Sequence, residues 1–202
     1  VKGRTLATLL TERESPSANR QRLIAVFESV CQTMAYAHSR GVVHRDLSPD
    51  NIILEGGRIE RARIIDFGIA KDLDPDNKTI VGDGFAGKLG FVAPEQLGAF
   101  KRDVGAWTDV YSLALVILSI LRGANVNMGT NLVEAVEMRQ NVPDLSDVPG
   151  ELRALLQGML VPNPAARVRS MDEVVASIDR NSQQRTLFAP PMTVFEPGGI
   201  SA

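Results

Sequence analysis

At 202 residues, with 22 basic against 24 acidic side chains and a formal charge of −2, the chain is long enough for one domain whose core needs no staples. The near-neutral balance, without a basic cluster, leaves no electrostatic footprint for nucleic acid. The single cysteine, Cys31, excludes an internal disulfide and points to a reducing compartment; its place on an apolar helical stripe marks it as a small core residue rather than a nucleophile.

The opening Val1-Lys2-Gly3-Arg4 has no long apolar run behind it, so it does not read as a signal peptide. The chain starts on Val and enters a helical pattern almost at once, which reads as a segment of a longer protein. Thr5 can cap a short helix through Leu6, Leu9 and Leu10, ending at the polar cluster Glu14-Ser15-Pro16-Ser17. Leu23, Ile24, Phe27, Val30, Cys31, Met34 and Ala35 then recur at helical spacing, with Gly41 as the C-cap. Two short strands, Ile52 to Leu54 and Ala62 to Ile65, flank the turn signal Gly56-Gly57.

From Lys71 to Gly90 no period is sustained, and a loop of that length is usually functional. Helical patterns resume over Glu95 to Leu97, Asp109 to Leu121, Asn131 to Arg139, Glu151 to Leu160 and Met171 to Ile178, with Gly123 and several prolines between them. The most apolar stretch, Val110 to Leu121, runs about a dozen residues against the ~20 a membrane span needs, so it reads as a buried core helix. Residues from about Asn181 onward lack a period and read as a linker or tail.

The chemistry concentrates in His44-Arg45-Asp46-Leu47-Ser48-Pro49-Asp50-Asn51 and in Asp66-Phe67-Gly68. Either motif alone is a common tripeptide or little more. In this order, with a hairpin between, they are what phosphoryl transfer requires, because positioning and charge neutralisation dominate that reaction. Asp46 would orient an acceptor hydroxyl and take its proton. Asn51 offers a neutral oxygen and Asp66 a charged one to Mg2+ bridging nucleotide phosphates, and such hard oxygens suit that ion. Gly68 lets the second loop turn sharply after Phe67.

These two motifs resemble the catalytic and metal-binding loops of eukaryotic-like (Hanks-type) serine/threonine protein kinases, of the kind also found in bacteria. The resemblance extends to Ala93-Pro94-Glu95, which closes that family's activation segment, to Trp107-Thr108-Asp109-Val110-Tyr111-Ser112-Leu113, the start of its central helix, and to Arg167 in Pro164-Ala165-Ala166-Arg167. It implies a mainly α fold, the large helical C-terminal lobe, with a small β hairpin carrying the catalytic and metal loops over residues 1–180 and a tail over 181–202. It also implies ATP and Mg2+ as cofactors and a protein substrate. By the same resemblance Glu95 and Arg167 form a buried ion pair, and Asp109 accepts hydrogen bonds from the backbone near His44 and Arg45. His44 then packs and hydrogen-bonds inside its loop, the competing reading being a general base. At its helix end His38 is expected to pack or cap.

Departures from the family's pattern at positions 48 and 88, and in the absent small lobe, qualify the resemblance, while Arg45 keeps to it. Position 48, where the family usually has Lys, is Ser48, and Lys88 stands where it usually has Thr, so a swap would let Lys88 supply the missing cation; the alternative is a Lys88 directed to solvent with weak activity. Arg45 can read a phosphate on the activation loop, where Thr79 is the one hydroxyl between Gly68 and Ala93; the alternative is an unmodified loop ordered by Asp72 or Asp83. Finally, the family's small N-terminal lobe, with its glycine-rich loop and strand Lys, has no counterpart in these residues. The expectation is therefore a longer natural polypeptide that includes it, poor nucleotide binding by this segment alone, and an apolar face where the lobe would sit. A pseudokinase scaffold and a small-molecule phosphotransferase remain as rivals, Ala93-Pro94-Glu95 favouring a protein substrate over the latter. No membrane span is expected in this segment, and the expected location is cytoplasmic, open to tethering by regions outside it.

Overall fold

The computed structural model describes residues 3–10, 16–56, 58, 62–67 and 89–188. Its strands are β1 (Gly3–Thr5), β2 (Ile52–Glu55) and β3 (Ala62–Ile64), and its helices α1 (Leu6–Leu10), α2 (Pro16–Ser39), α3 (Ala106–Arg122), α4 (Leu132–Met138), α5 (Gly150–Met159) and α6 (Met171–Phe188). Short 3-10 turns over Pro49–Asn51, Pro94–Leu97, Ala99–Arg102 and Pro164–Ala166 place the polar motifs between them.

The centre of the molecule is α3. Its sequence is apolar all round, and every residue from Thr108 to Ser119 is buried, as such a helix must be in water. The two serines inside it are satisfied locally: Ser112 Oγ donates to the Thr108 carbonyl at 3.2 Å, and Ser119 Oγ accepts from the Val126 amide at 3.2 Å. Gly123, at φ 65°, ends the helix in the left-handed conformation that glycine adopts without a Cβ clash. Around α3 lie α2 and α5, with α6 against both of those and β3 against α2. Phe27, Val30, Cys31 and Met34 of α2 join Leu47, Ile52, Leu54 and the α3 residues in one buried cluster. Cys31 is fully buried, and burial pushes its thiol well above the ordinary range, so it is an inert core residue.

The expected hairpin is present, with Ile52 opposite Ile64 and Leu54 opposite Ala62, but it is part of a three-stranded antiparallel sheet. β1 adds to the free edge of β2, with Gly3 opposite Glu55 and Thr5 opposite Ile53. Three residues are too few for an alternation of period two to register, so this strand is defined only by its partner. Thr5 serves twice, ending the strand and capping α1 by accepting the Thr8 amide at 3.4 Å.

The final helix is a second difference. α6 continues to Phe188, beyond the point near 180 where the apolar period ends. Asn181-Ser182-Gln183-Gln184-Arg185-Thr186-Leu187-Phe188 contains no Gly or Pro, and Gln and Arg propagate helix well. The last part of the expected tail, 189–202, lies outside the described residues. Among the described residues the large apolar side chains left exposed are Tyr36, Phe100, Leu132, Val133, Val136 and Met138, none of them on the sheet or the 44–51 loop. No helix among the described residues is long and apolar enough to cross a membrane.

Candidate active site

The 44–51 loop is gripped from below by one carboxylate. Asp109 is fully buried on α3; its Oδ2 accepts the His44 amide and its Oδ1 the Arg45 amide, each at 2.8 Å. His38 Nε2, from the end of α2, lies 2.8 Å from the same Oδ2. A carboxylate with three donors on two oxygens is a strong anchor, because charge-assisted hydrogen bonds are roughly twice as strong as neutral ones. His44 is held as firmly. Its Nδ1 accepts the Asp46 amide at 3.2 Å, so its Nε2 carries the proton and donates to the Ile65 carbonyl at 3.0 Å. With both ring nitrogens committed inside the loop, His44 has no lone pair left for a substrate proton.

Those contacts tie the two motifs together. Phe67 packs its ring on His44, centroids 4.7 Å apart, while the Ile65 amide donates to the Asn51 carbonyl at 3.0 Å. Asp66 therefore follows directly on a residue paired to Asn51 on one side and to His44 on the other. Arg45 and Asp66 both adopt left-handed backbone, at φ 65° and 55°. Such positions cost about 1–3 kcal/mol each for side chains other than glycine and persist only when the surroundings over-determine them. Arg45 is pinned by Asp109 from α3, and Asp66 follows a residue, Ile65, held by Asn51 and His44.

Asp46 is half-buried and Asp66 is exposed. Asn51 Nδ2 donates to the Asp46 carbonyl at 2.7 Å, which orients the carboxamide and leaves its Oδ1 chemically able to accept a cation. One carboxamide oxygen and one carboxylate on adjoining loops fit Mg2+, which keeps several waters and takes few protein ligands. Among the described residues no group of three or more His, Cys, Asp or Glu forms a closed metal cage. Ser48 is the N-cap of the Pro49–Asn51 turn, yet its side chain makes no capping hydrogen bond. Gly68, Thr79 and Lys88, with Asp72 and Asp83, lie outside the described residues.

The segment after the long loop is anchored by two buried arginines. Arg167 meets Glu95 in a bidentate pair, Nη1 to Oε1 at 2.8 Å and Nη2 to Oε2 at 3.0 Å, both side chains fully buried. Its remaining donors go to the carbonyls of Val161, Trp107 and Pro162, and Thr108 Oγ1 adds a 2.9 Å hydrogen bond to Glu95. Arg139, which the sequence did not single out, is 2 % exposed at the end of α4. It donates to the carbonyls of Leu89, Val92 (2.6 Å), Met128 and Ala135 (both 2.8 Å). No carboxylate faces it among these partners, and burial pulls its guanidinium below the ordinary range. In the sequence it looks like any cation closing a helix.

The match between this chain and known proteins runs along the same elements. The family model for the protein kinase domain matches residues 1–177. The chain is 32 % identical over 168 residues to the probable serine/threonine-protein kinase PkwA of Thermomonospora curvata, covering 83 % of this chain and 22 % of that protein. It is 32 % identical over 197 residues to the serine/threonine-protein kinase PknB of Mycolicibacterium smegmatis, covering 94 % and 31 %. A serine/threonine-protein kinase PknD of Chlamydia pneumoniae is 28 % identical over 209 residues, covering 89 % and 22 %. The chain thus spans less than a third of the length of these curated relatives. With the 44–51 loop and the 65–67 segment joined through His44 and Asn51, and the family model matching residues 1–177, this chain belongs to the protein kinase domain family.

Proposed function

We propose that this chain is the C-terminal lobe of an ATP-dependent serine/threonine protein kinase, acting in the cytoplasm on a protein hydroxyl. One observation carries the reading: Asp109 grips the peptide groups of His44 and Arg45, Asn51 grips the carbonyl of Asp46, and Ile65 pairs with Asn51, so Asp46, Asn51 and Asp66 are set on two interlocked loops. Asp46 orients the acceptor hydroxyl and takes its proton at a carboxylate oxygen as the new bond forms. Asn51 Oδ1 and the Asp66 carboxylate hold Mg2+, which neutralises charge on the phosphates when bound. Arg45 reads a phosphate on Thr79, and Lys88 supplies beside Asp46 the cation that Ser48 cannot. The glycine-rich loop and strand Lys come from a small lobe elsewhere in the polypeptide.

Ser48 also favours a second reading, a scaffold that keeps the fold and lacks turnover. One experiment decides between them. The full-length protein is incubated with labelled MgATP and casein, and phosphoserine and phosphothreonine are measured. Transfer is expected, with Asp46→Asn reducing it by at least about a hundredfold, the scale of a lost general base. Nucleotide binding without transfer would establish the scaffold instead. Lys88→Ala is expected to cost at least about tenfold, equal to ~1.4 kcal/mol of barrier, and a smaller loss sinks the swap.

A further inference from the structure

The peptide unit that joins Arg45 to Asp46 decides where the Asp46 carboxylate points, and it is held by a residue outside the motif. We infer that Gln96 is a positioning residue for that unit, coupling the segment before Pro94 to the catalytic loop; the inference rests on the reading of Asp46 as the hydroxyl-orienting group. Gln96 sits on the Pro94–Leu97 turn, half-buried, one residue beyond Glu95. Its Nε2 donates to the Arg45 carbonyl at 2.7 Å and its Oε1 accepts the Ala93 amide at 3.0 Å. A carbonyl can only accept and an amide N–H can only donate, so these two partners fix which end of the carboxamide faces which.

The contact matters because Arg45 is strained. Its backbone stands at φ 65°, and three clamps keep it there: Asp109 on its own N–H, Gln96 on its C=O, and His44 Nδ1 on the following N–H. Asp109 acts from the fixed central helix and His44 from within the loop. Gln96 alone of the three acts from the segment that Arg139 and Arg167 anchor, through Leu89, Val92 and Glu95. A displacement of that segment therefore pulls on the Arg45 carbonyl and turns the peptide that carries Asp46. The strained unit links acceptor-side geometry to the position of the proton-accepting group.

The test is an ordering of variants in the full-length protein, read as kcat and as KM for ATP. Gln96→Met keeps length and packing and loses both hydrogen bonds. Gln96→Glu keeps an acceptor for Ala93 and sets a repelling oxygen against the Arg45 carbonyl. If Gln96 positions Asp46, kcat falls at least about tenfold for Glu, which replaces a neutral hydrogen bond with a repelling charge, and Glu lies below Met. KM for ATP stays within about threefold of wild type, since nucleotide binding does not pass through this unit. A residue that merely braces its own turn through Ala93 would give the reverse order, Glu above Met, and that result, or a Glu variant within threefold of wild type, overturns the inference. Should the Glu variant unfold below assay temperature, Gln96→Asn carries the test. It presents both groups one methylene short, and a wild-type kcat there overturns the inference while a Met-like loss upholds it. Asp46→Asn run in parallel separates the two levels. Full activity of that variant defeats the reading of Asp46 itself, whereas its loss beside a wild-type Gln96→Glu defeats only the coupling.

Discussion

Arg139 and Arg167 bury the same guanidinium a few ångströms from the same chain segment, and they solve its desolvation in different ways. Arg167 spends all five of its N–H donors, two on Glu95 and three on carbonyls, so charge meets charge. Arg139 meets only carbonyl dipoles, four of them drawn from Leu89, Val92, Met128 and Ala135. The consequence lies in what each leaves behind when it is removed. Loss of Arg167 strands a fully buried carboxylate, whereas loss of Arg139 strands no charge and releases carbonyls, each of which has a second lone pair. One end of the segment is thus held by an all-or-none pair and the other by a distributed cradle.

Substitutions at the two arginines test this contrast directly. Arg167→Met is expected to cost about 3–5 kcal/mol, as is usual when one partner of a buried ion pair is deleted, read as a fall in the denaturant midpoint of the full-length protein. Arg139→Met is expected to cost less, about 1–3 kcal/mol, the scale of hydrogen-bond partners lost without a stranded ion. Equal losses at the two sites would break the comparison, because carbonyl dipoles would then compensate a buried cation as completely as a carboxylate does. Thr108→Val sharpens it further. The hydroxyl donates to Glu95 and accepts the Gly105 amide at 3.1 Å, so about 1–2 kcal/mol should be lost while the ion pair survives.

The smallest effect comes from an exposed pair that serves as a baseline. Arg122 makes two 2.8 Å contacts to Asp147, and that hydrogen-bonded guanidinium holds the Asp147 carboxyl below its usual range. A carboxyl lowered on folding adds stability above its unfolded value and loses it as pH falls through the folded one. The Tm difference between wild type and Asp147→Asn should therefore shrink on going from neutral pH to below about pH 4, and a difference that grows on acidification would be inconsistent with this pair.

Much of the fold could be read residue by residue. The period of Leu23 through Ala35 locates α2, and the unbroken apolar run after Asp109 locates α3. The expected pattern from Asn131 to Arg139 locates α4, whose first expected residue is instead its cap, Asn131 accepting the Glu134 amide at 3.0 Å. β1 was not legible, because three residues carry no period, and neither was the end of α6, because helix can continue on propensity after its apolar face has ended. At the site, the order of the motifs named Asp46, Asn51 and Asp66. The same sequence was silent on Gln96 and Arg139, whose partners are main-chain carbonyls and amides. A bond from side chain to backbone leaves no complementary residue type to notice.

The sequence by itself determined which local elements form and which chemical groups sit in the 44–51 and 66–68 motifs, since capping, periodicity and motif spacing act within a few residues. Only the tertiary structure decided how those groups are aimed. The left-handed turn at Arg45 has one local support, His44 Nδ1 on the Asp46 amide, and is otherwise kept by Asp109, 64 residues on, and by Gln96, 51 residues on. Strain of that kind costs free energy where it stands and is offset by distant partners, so it exists only once the chain has packed.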